Sequence, residues 1–556
     1  MRQPKAGLLC LYVKLYDDTQ AWLRKDVEWF QEQVARELEH AGLELIRHDI
    51  CRQEEEFQAA ITEFEELGAD AVITLHLAYS PSLESEQVLK STTLPILVLD
   101  TTPDYSFDGI SGAGRIMQNH GIHGVQDMCS LLRRNKVPYE VFAGHYLESD
   151  VIRNVAQAAK GAMMAARMKQ CRVGRVGEPF AGMGDFRLPD QVLQESTGIS
   201  VIDYDFNENL NLLGSVTDAE IKEEWDNDCK RFACRDLIYE VYAESARVNL
   251  AVRKWIRKNK LDAFTVNFMA TDENPALPRM PFMETCKAME SGIGYAGEGD
   301  VLTASFTAAL MSGYEETTFA EMFCPDWKGN TVFLSHMGEF NLRVSAGKPL
   351  LTELDFPYTS AGNPAALYGC MKEGSAAFVN LNPLPEGKFV LIMATGKMVE
   401  MTETSPDFEK TVRGWFRPDI PVAAFLSAYS KAGGGHHGAI VYYAGVASKS
   451  PFSTAIANSF SSSLLKRGTT PISLRYIRTG SLTLAEFEPR SSSSVSSSGF
   501  GASTTYLDEG FPSLSVIEIP PSVKRSKRSS IPSASRTNGI TSFSVISSSI
   551  AVPAFL

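Results

Sequence analysis

Short apolar runs and long amphipathic stretches alternate along the first hundred residues, and this alternation constrains the fold more than any other feature. GLLCLYV, LELIRHDI, DAVITLHL and PILVLD have the length and apolar content of strands, whereas TQAWLRKDVEWFQEQVARELEHAG and a Glu-rich stretch ending at Gly68 have helical periodicity. A strand–helix–strand succession implies right-handed crossovers and a parallel sheet covered on both faces. Ligands of such sheets bind beyond the carboxyl ends of the strands. That rule singles out HLAYSPS, where a strand ends near Leu77, and DTTPDYS, which begins at Asp100.

A second α/β unit is expected from about Arg172, with CRVGRVGEPFAGMGDF, a helix around residues 232–259 and the strand DAFTVNF. VGEPFAGMGDF lacks a helix-opening GxGxxG, so a dinucleotide fingerprint is weak. After Thr317 the texture changes to short strands with polar turns, NTVFLSHMGEF, SAAFVNLNP and GKFVLIMATGKMVEM, the pattern of an antiparallel sheet or barrel. From about Ser459 the chain becomes Ser-rich and of low complexity, too poor in apolar residues to offset its chain entropy, and is expected to be disordered. VKRSKR within it reads as a solvated basic run rather than a nucleic-acid patch. The fold expected is therefore α/β: two doubly wound parallel-sheet domains (1–170 and 171–317), a mostly antiparallel β-barrel-like domain (318–458) and a disordered tail (459–556). A chain of 556 residues needs such division, because single cores stop growing at roughly 250–300 residues.

A net charge of -14 and a pI near 5.3 oppose general affinity for nucleic acid or anionic membrane, which need clustered positive charge. No stretch reaches the roughly 18 apolar residues that cross a bilayer. The apolar run at the N-terminus passes into Lys14 and Asp17 without a cleavage-like site, so it reads as a first strand rather than a signal peptide. The nine cysteines are scattered without a CxxC pair, as expected of reduced residues in a cytoplasmic protein.

Four ligand-type residues sit at turns or strand ends in the second half of the chain. Glu298 lies in GIGYAGEGD, Glu321 in TTFAEMF, His336 in LSHMGEF, and His437 in KAGGGHHGA beside His436. Two carboxylates and two imidazoles suit Mn²⁺, with positions left open for water or substrate oxygens. Taken singly, each reads equally as a capping, solvated or structural residue, and spacing along the chain does not show that they converge.

GYAGEGDVLTA, FAEMF followed by KGNTVFLSHMGEF, and AGGGHHGA resemble, in order and interval, the metal-ligand segments of L-arabinose isomerases. LHLAYSPS, NHGIHGVQD around His123, and FTVNF ending at Phe268 extend the likeness over roughly residues 6–445. The resemblance implies a metal-dependent aldose–ketose isomerase converting L-arabinose to L-ribulose through an enediol. It implies Glu298, Glu321, His336 and His437 as ligands of Mn²⁺, with Co²⁺ or Mg²⁺ as substitutes, and His436 as the lesser of the two adjacent imidazoles. Glu298 would be the base at C2, and Glu321 would assist proton movement between the oxygens. Tyr79 and Phe268 match aromatic substrate contacts. His123 matches a histidine that reaches a neighbouring subunit, implying a homo-oligomer, trimeric or hexameric. Two alternatives stand beside this reading. An L-fucose-isomerase-like enzyme would carry aspartate where this chain has Glu321, and a non-catalytic sugar-binding protein would share the α/β lobe of the first domain but have no need of the ligands. The chain departs from the family at Val13, Lys14, Leu15 and Tyr16, where a Gln-His-Leu-Tyr segment is usual, at His120 in place of glutamine, and beyond Gly438, where the pattern fades.

Overall fold

The computed structural model describes residues 2–109, 113–385, 388–402 and 405–443, with two further segments, 474–477 and 514–519. Strands β1 (Lys5–Leu11), β2 (Glu44–Arg47), β3 (Ala71–His76), β4 (Ile96–Asp100) and β5 (Tyr139–Ala143) form a parallel sheet in the order β2-β1-β3-β4-β5. All six residues of β3 are buried, because helices cover both faces. On one side the helix Leu23–His40 turns in Leu23, Val27, Phe30, Val34 and Leu38, and Val151–Lys169 lies beside it. On the other, Glu54–Glu66 buries Phe57, Ala60, Ile61 and Phe64. The apolar positions recur every three or four residues, so each helix offers one stripe to the sheet. The strand order reverses between β1 and β3, which opens a crevice at their carboxyl ends.

A second parallel sheet has the order β10-β9-β6-β7, from β6 (Arg172–Val176), β7 (Ser200–Asp203), β9 (Ala263–Val266) and β10 (Gly294–Gly297). Between them in sequence, β8 (Ala233–Cys234) leaves to join another sheet. Six antiparallel strands follow and close on themselves. They are β11 (Thr317–Asp326), β12 (Thr331–Ser335), β15 (Gly374–Leu384), β16 (Lys388–Val399), β17 (Gly414–Pro418) and β18 (His437–Tyr442). The order β15-β18-β11-β12-β17-β16 returns to β15 through eleven paired residues of β15 and β16, giving a barrel. Two intervening strands, β13 (Leu350–Glu353) and β14 (Ala365–Tyr368), form the small sheet β14-β13-β8. The α/β then barrel architecture is that expected from the sequence.

One helix joins these parts. Val301–Gly313 is buried at every position but Ser312, and it packs on β10, β9 and β6 on one side and on β11, β15 and β18 on the other. Its sequence, VLTASFTAALMSG, has no polar face to give to water, and that composition belongs between layers rather than on a surface.

Within the segment expected to be disordered, β19 (Leu474–Ile477) and β20 (Leu514–Ile519) are described as strands, β20 running along β16. The remainder of that segment, with VKRSKR, lies outside the described residues. Among the described residues no helix is long and apolar enough to cross a membrane. All nine cysteines are free thiols.

Candidate metal centre

β10 ends at the carboxyl edge of the second sheet, and the chain turns sharply there. Glu298 has a left-handed backbone, φ +52°, and Gly299 follows at φ +86°. A Cβ at Gly299 would lie 2.7 Å from Pro179 Cα, so only glycine passes. The left-handed glutamate costs about 1–3 kcal/mol, a strain that persists where surrounding contacts impose it. One such contact is the Phe180 backbone N–H, which donates to the Glu298 carbonyl at 2.9 Å. The turn aims the Glu298 carboxylate toward the barrel.

Barrel register supplies the other three donors. Glu321 on β11 lies opposite His437 of β18 on one side and Ser335 of β12 on the other, and His336 is the next residue after Ser335. His437 Nε2 is 3.0 Å from Glu298 Oε2 and 3.0 Å from Glu321 Oε1. His336 Nε2 is 3.6 Å from Glu298 Oε1 and 3.4 Å from Glu321 Oε1. Residues far apart in sequence thus meet in one buried cluster. Glu298 Oε2 and His437 Nε2 are both shielded from water, and beyond their ion-pair contacts within the cluster neither has a well-aligned hydrogen-bond partner among the described residues. Such mutually facing, unsatisfied donor atoms are costly unless a further group lies between them. Two carboxylates and two imidazole nitrogens are the donor set for a divalent cation, so the residues fit one.

Behind each imidazole stands a second carboxylate. His437 Nδ1 is 2.9 Å from Asp300 Oδ2, and Asp300 is wholly buried and also caps the helix Val301–Gly313 through the Thr303 N–H. His336 Nδ1 is in ion-pair contact with buried Glu339, which accepts from Tyr295 OH. A carboxylate at Nδ1 keeps a hydrogen there, so that once the ring gives up its second proton the Nε2 lone pair faces the centre. Rings of Phe186 and Phe319 enclose the cluster: Phe186 stacks on His437 at 4.8 Å, and Phe319 meets His336 and His437 edge-on at 4.9 and 5.1 Å.

Electrostatics follow from burial and charge. Burial pushes the Glu321 carboxyl up, but the neighbouring His336 and His437 outweigh it and hold it at about 2. Glu298 is likewise held below the carboxylate range against its burial. For His336 burial works downward, and Glu339, Glu321 and Glu298 overcome it and raise the imidazole well above its ordinary value. His437 is raised in the same way, chiefly by Asp300 against burial. Without a cation, the cluster is a proton-holding set of two imidazolium and two carboxylate groups.

His436 also approaches the cluster, grouping with Glu321 and His437, but its Nδ1 is held 2.7 Å from Asp185 Oδ2. Despite burial, which raises it, the Asp185 carboxyl is held at about 2 by these bonds.

A family model of the L-arabinose isomerase central domain matches residues 190–313, and one of the L-arabinose isomerase C-terminal domain matches residues 316–456. The chain belongs to the L-arabinose isomerase family. Similar relatives include L-arabinose isomerase 1 of Bacillus licheniformis, 23% identical over 431 residues, spanning 74% of this chain and 84% of that protein. The L-arabinose isomerase of Thermotoga petrophila is 24% identical over 394 residues, spanning 68% of this chain and 78% of its own. Among solved structures, the arabinose transporter's periplasmic binding protein from Shewanella sp. ANA-3 covers 56% of this chain and 84% of its own at 11% identity. Its TM-score of 0.14 establishes no shared fold. The match to the family's C-terminal domain runs past Gly438 to residue 456, beyond the point where the pattern was expected to fade.

For this member of the L-arabinose isomerase family, the remaining expected site residues divide in two. Phe268 opens the turn after β9 and stacks on Phe180 at 5.5 Å, one ring from Glu298. Tyr79, in the loop after β3, and His123, in the helix Ile122–Arg134, belong to the first α/β unit instead. Tyr79 OH is 3.5 Å from Asp127 Oδ2, and His123, exposed at a helix start, faces the His120 ring at 5.8 Å. Neither touches the four donors. Tyr16, whose OH lies 3.0 Å from His120 Nε2, joins that group. Sequence reasoning passed over Asp300 and Glu339, although both stand in quoted strings, GEGD and HMGE. A carboxylate within three residues of a ligand, in a segment otherwise apolar and glycine-rich, was the available signal. Asp185 and Phe186 had none, since only the fold brings the loop after β6 to β18.

Proposed function

We propose that this chain is a divalent-metal-dependent aldose–ketose isomerase that converts L-arabinose to L-ribulose, with Mn²⁺ at Glu298, Glu321, His336 and His437. The observation that carries this reading is the meeting of those four donors, with unsatisfied atoms facing inward, at the carboxyl edge of an α/β sheet. The L-arabinose isomerase relatives supply the substrate. On this reading the donors come from the domains at 171–317 and 318–458.

A divalent ion held there supplies Lewis-acid stabilisation of the negative charge that develops on the sugar's C1 and C2 oxygens. Glu298, ionised and desolvated, takes the proton from C2 and returns it to C1. Glu321 moves the proton between the two oxygens. His336 and His437 hold their Nε2 atoms toward the centre because Glu339 and Asp300 retain the hydrogens on the far side of each ring. Phe186 and Phe319 exclude water, which keeps the enediol from escaping to side reactions. Phe268 offers an apolar wall to the sugar, and Tyr79 and His123 serve the site of a neighbouring subunit in a homo-oligomer.

The test is ketose formation from a panel of aldoses with Mn²⁺, run in D₂O. L-arabinose should be the best substrate, and L-ribulose should carry deuterium at C1, because a carboxylate exchanges its proton with solvent. No ketose from any aldose would sink the isomerase reading. A Glu298→Gln enzyme that kept its Mn²⁺ and near-normal turnover would remove Glu298 as the base.

A further inference from the structure

A single residue, Phe232, separates the helix Asp218–Arg231 from β8, and this junction brings two half-buried cysteines together. Cys234 Sγ lies 3.4 Å from Cys229 Sγ, a contact that no other two cysteines make among the described residues. Positions five apart in an unbroken helix point about 140° away from each other around the axis, and in an unbroken strand they lie on opposite faces. Only the extended backbone at Phe232, φ -115° and ψ 156°, lets the two sulfurs meet. Both sides of the junction are anchored. Asp228, next to Cys229, accepts from Tyr242 OH at 2.8 Å and from Lys287 Nζ at 2.6 Å. Cys234 stands opposite Leu351 of β13, and the backbone N–H groups of Ala233 and Arg235 donate to the Pro349 and Leu351 carbonyls at 2.9 and 3.3 Å.

The two sulfurs are not equivalent. Burial pushes the Cys234 thiol up, and the Cys229 sulfur adds to the effect, so Cys234 keeps its hydrogen and donates it to Cys229. Cys229 is therefore the sulfur placed to react first. Neither is sealed off from small molecules, whereas Cys10, Cys51, Cys171 and Cys286 are buried. The charges around the pair leave a cationic rim. Asp228 is matched by Lys287, and Arg231 and Arg235 pair with Glu290 and Glu409. Lys230, which follows Cys229, and Lys348, whose charge acts on Cys234, have no hydrogen bond or ion pair with any described residue. Partly exposed cysteines beside cations are the ones that react, while cysteines in apolar cores are inert.

We propose that Cys229 and Cys234 form a reversible thiol–disulfide modification site, outside the proposed metal centre, that exchanges with small-molecule disulfides of the glutathione type. Cys229, once it has given its proton to water, attacks one sulfur of the incoming disulfide. That S–S bond breaks, a mixed disulfide forms on Cys229, and the first small thiolate leaves and takes up a proton. Cys234 then loses its proton to water and attacks the Cys229 sulfur, which closes the bond between the two cysteines and expels the second small thiol. Two protein thiols are oxidised by two electrons, and one disulfide is reduced to two thiols. The new bond staples β8, the edge strand of the sheet β14-β13-β8, to the end of the preceding helix.

The experiment equilibrates the full-length protein with mixtures of glutathione and glutathione disulfide, blocks the remaining thiols by alkylation, and reads the linkage by mass spectrometry after tryptic digestion without reduction. Trypsin cuts after Lys222, Lys230, Arg231 and Arg235, so the bond appears as peptide 223–230 joined to peptide 232–235. The folded protein should keep this bond in mixtures about tenfold more reducing than those that open it in the urea-unfolded chain, because the fold holds the sulfurs in contact. Cys234→Ser should accumulate the mixed disulfide on Cys229 about tenfold faster than Cys229→Ser accumulates one on Cys234. The proposal is overturned if the folded protein yields no joined peptides even in glutathione disulfide alone, or if the unfolded chain holds the bond equally well. Equal rates in the two variants would overturn the order of attack. The first two readouts need only the unaltered protein, so a variant that does not fold leaves the site testable.

Discussion

At the scale of single residues, the centre depends on carboxylates that do not face it. Asp300 and Glu339 are fully buried charges whose cost is offset by the imidazoles they contact, and each sets which nitrogen of its histidine points inward. Asp300→Asn retains a helix-capping side chain but weakens the hold on His437 Nδ1. Its Mn²⁺ affinity should fall about 10–100-fold with little change in melting temperature, as measured by metal titration and thermal unfolding. An unchanged affinity would mean that Asp300 serves only as a cap. The same charges set a pH dependence. His336 and His437 are raised in the folded, ion-free protein, so their contribution to stability is full below the ordinary histidine value of 6.5 and is lost as pH rises through their folded values. Glu298 and Glu321 are lowered, so theirs is full above 4.5 and is lost as pH falls toward their folded values. The cluster therefore stabilises the ion-free protein most between 4.5 and 6.5. Because a cation must displace the imidazolium protons, Mn²⁺ affinity should rise with pH through neutrality with net proton release. Calorimetry in buffers of different ionisation enthalpy checks this, and binding without proton release would contradict the charge state given to the histidines.

At the scale of elements, the centre is a matter of register and one strained turn. Glu321 and His437 are cross-strand partners, and the β11–β12 pairing shifts register just past Met322, next to the donor. Irregularities of this kind bend a strand and re-aim its side chains near active sites. The turn after β10 is the more sensitive point. Gly299→Ala should cost about 1–3 kcal/mol in denaturant unfolding, because its φ of +86° and the 2.7 Å approach to Pro179 both oppose a Cβ. It should also weaken Mn²⁺ binding by moving Glu298, whereas Gly42→Ala, at φ +94° with open space around it, should leave metal affinity unchanged. Equal effects of the two substitutions on metal affinity would show that the turn does not aim Glu298.

At the scale of the whole molecule, the first α/β unit presents Tyr16, Tyr79, His120 and His123 with no contact to the four donors of the same chain. Exposed apolar side chains, Leu15, Tyr105 and Ile122, belong to the segments around them, a composition suited to contact with another copy. If His123 completes a neighbour's site, two inactive proteins, His123→Ala and Glu298→Gln, should regain part of their activity when denatured together and reassembled. Mixed oligomers then contain some sites with both residues intact. No recovery, or a fully active monomer in sedimentation, would end the shared-site reading.

Much of this was legible in the sequence because it depends on local periodicity and on short strings. Apolar alternation in GLLCLYV and DAVITLHL specifies buried parallel strands, and the change of texture after Thr317 specifies the barrel, since both report which faces must leave water. Of the four proposed donors, Glu298 and His437 stood out because they stand in glycine-rich strings and His336 because it follows an apolar run, whereas Glu321 lies in the middle of β11 in a string without such a signal. Tertiary structure alone decided which residues support them. Whether Glu321 faces His437 depends on the pairing of β11 with β18, more than a hundred residues later, and whether Asp185 meets His436 depends on a loop of one sheet reaching the barrel. Contacts between segments so distant in sequence leave no periodic trace in either one, because their geometry is set by how the layers pack and not by any local preference of the chain.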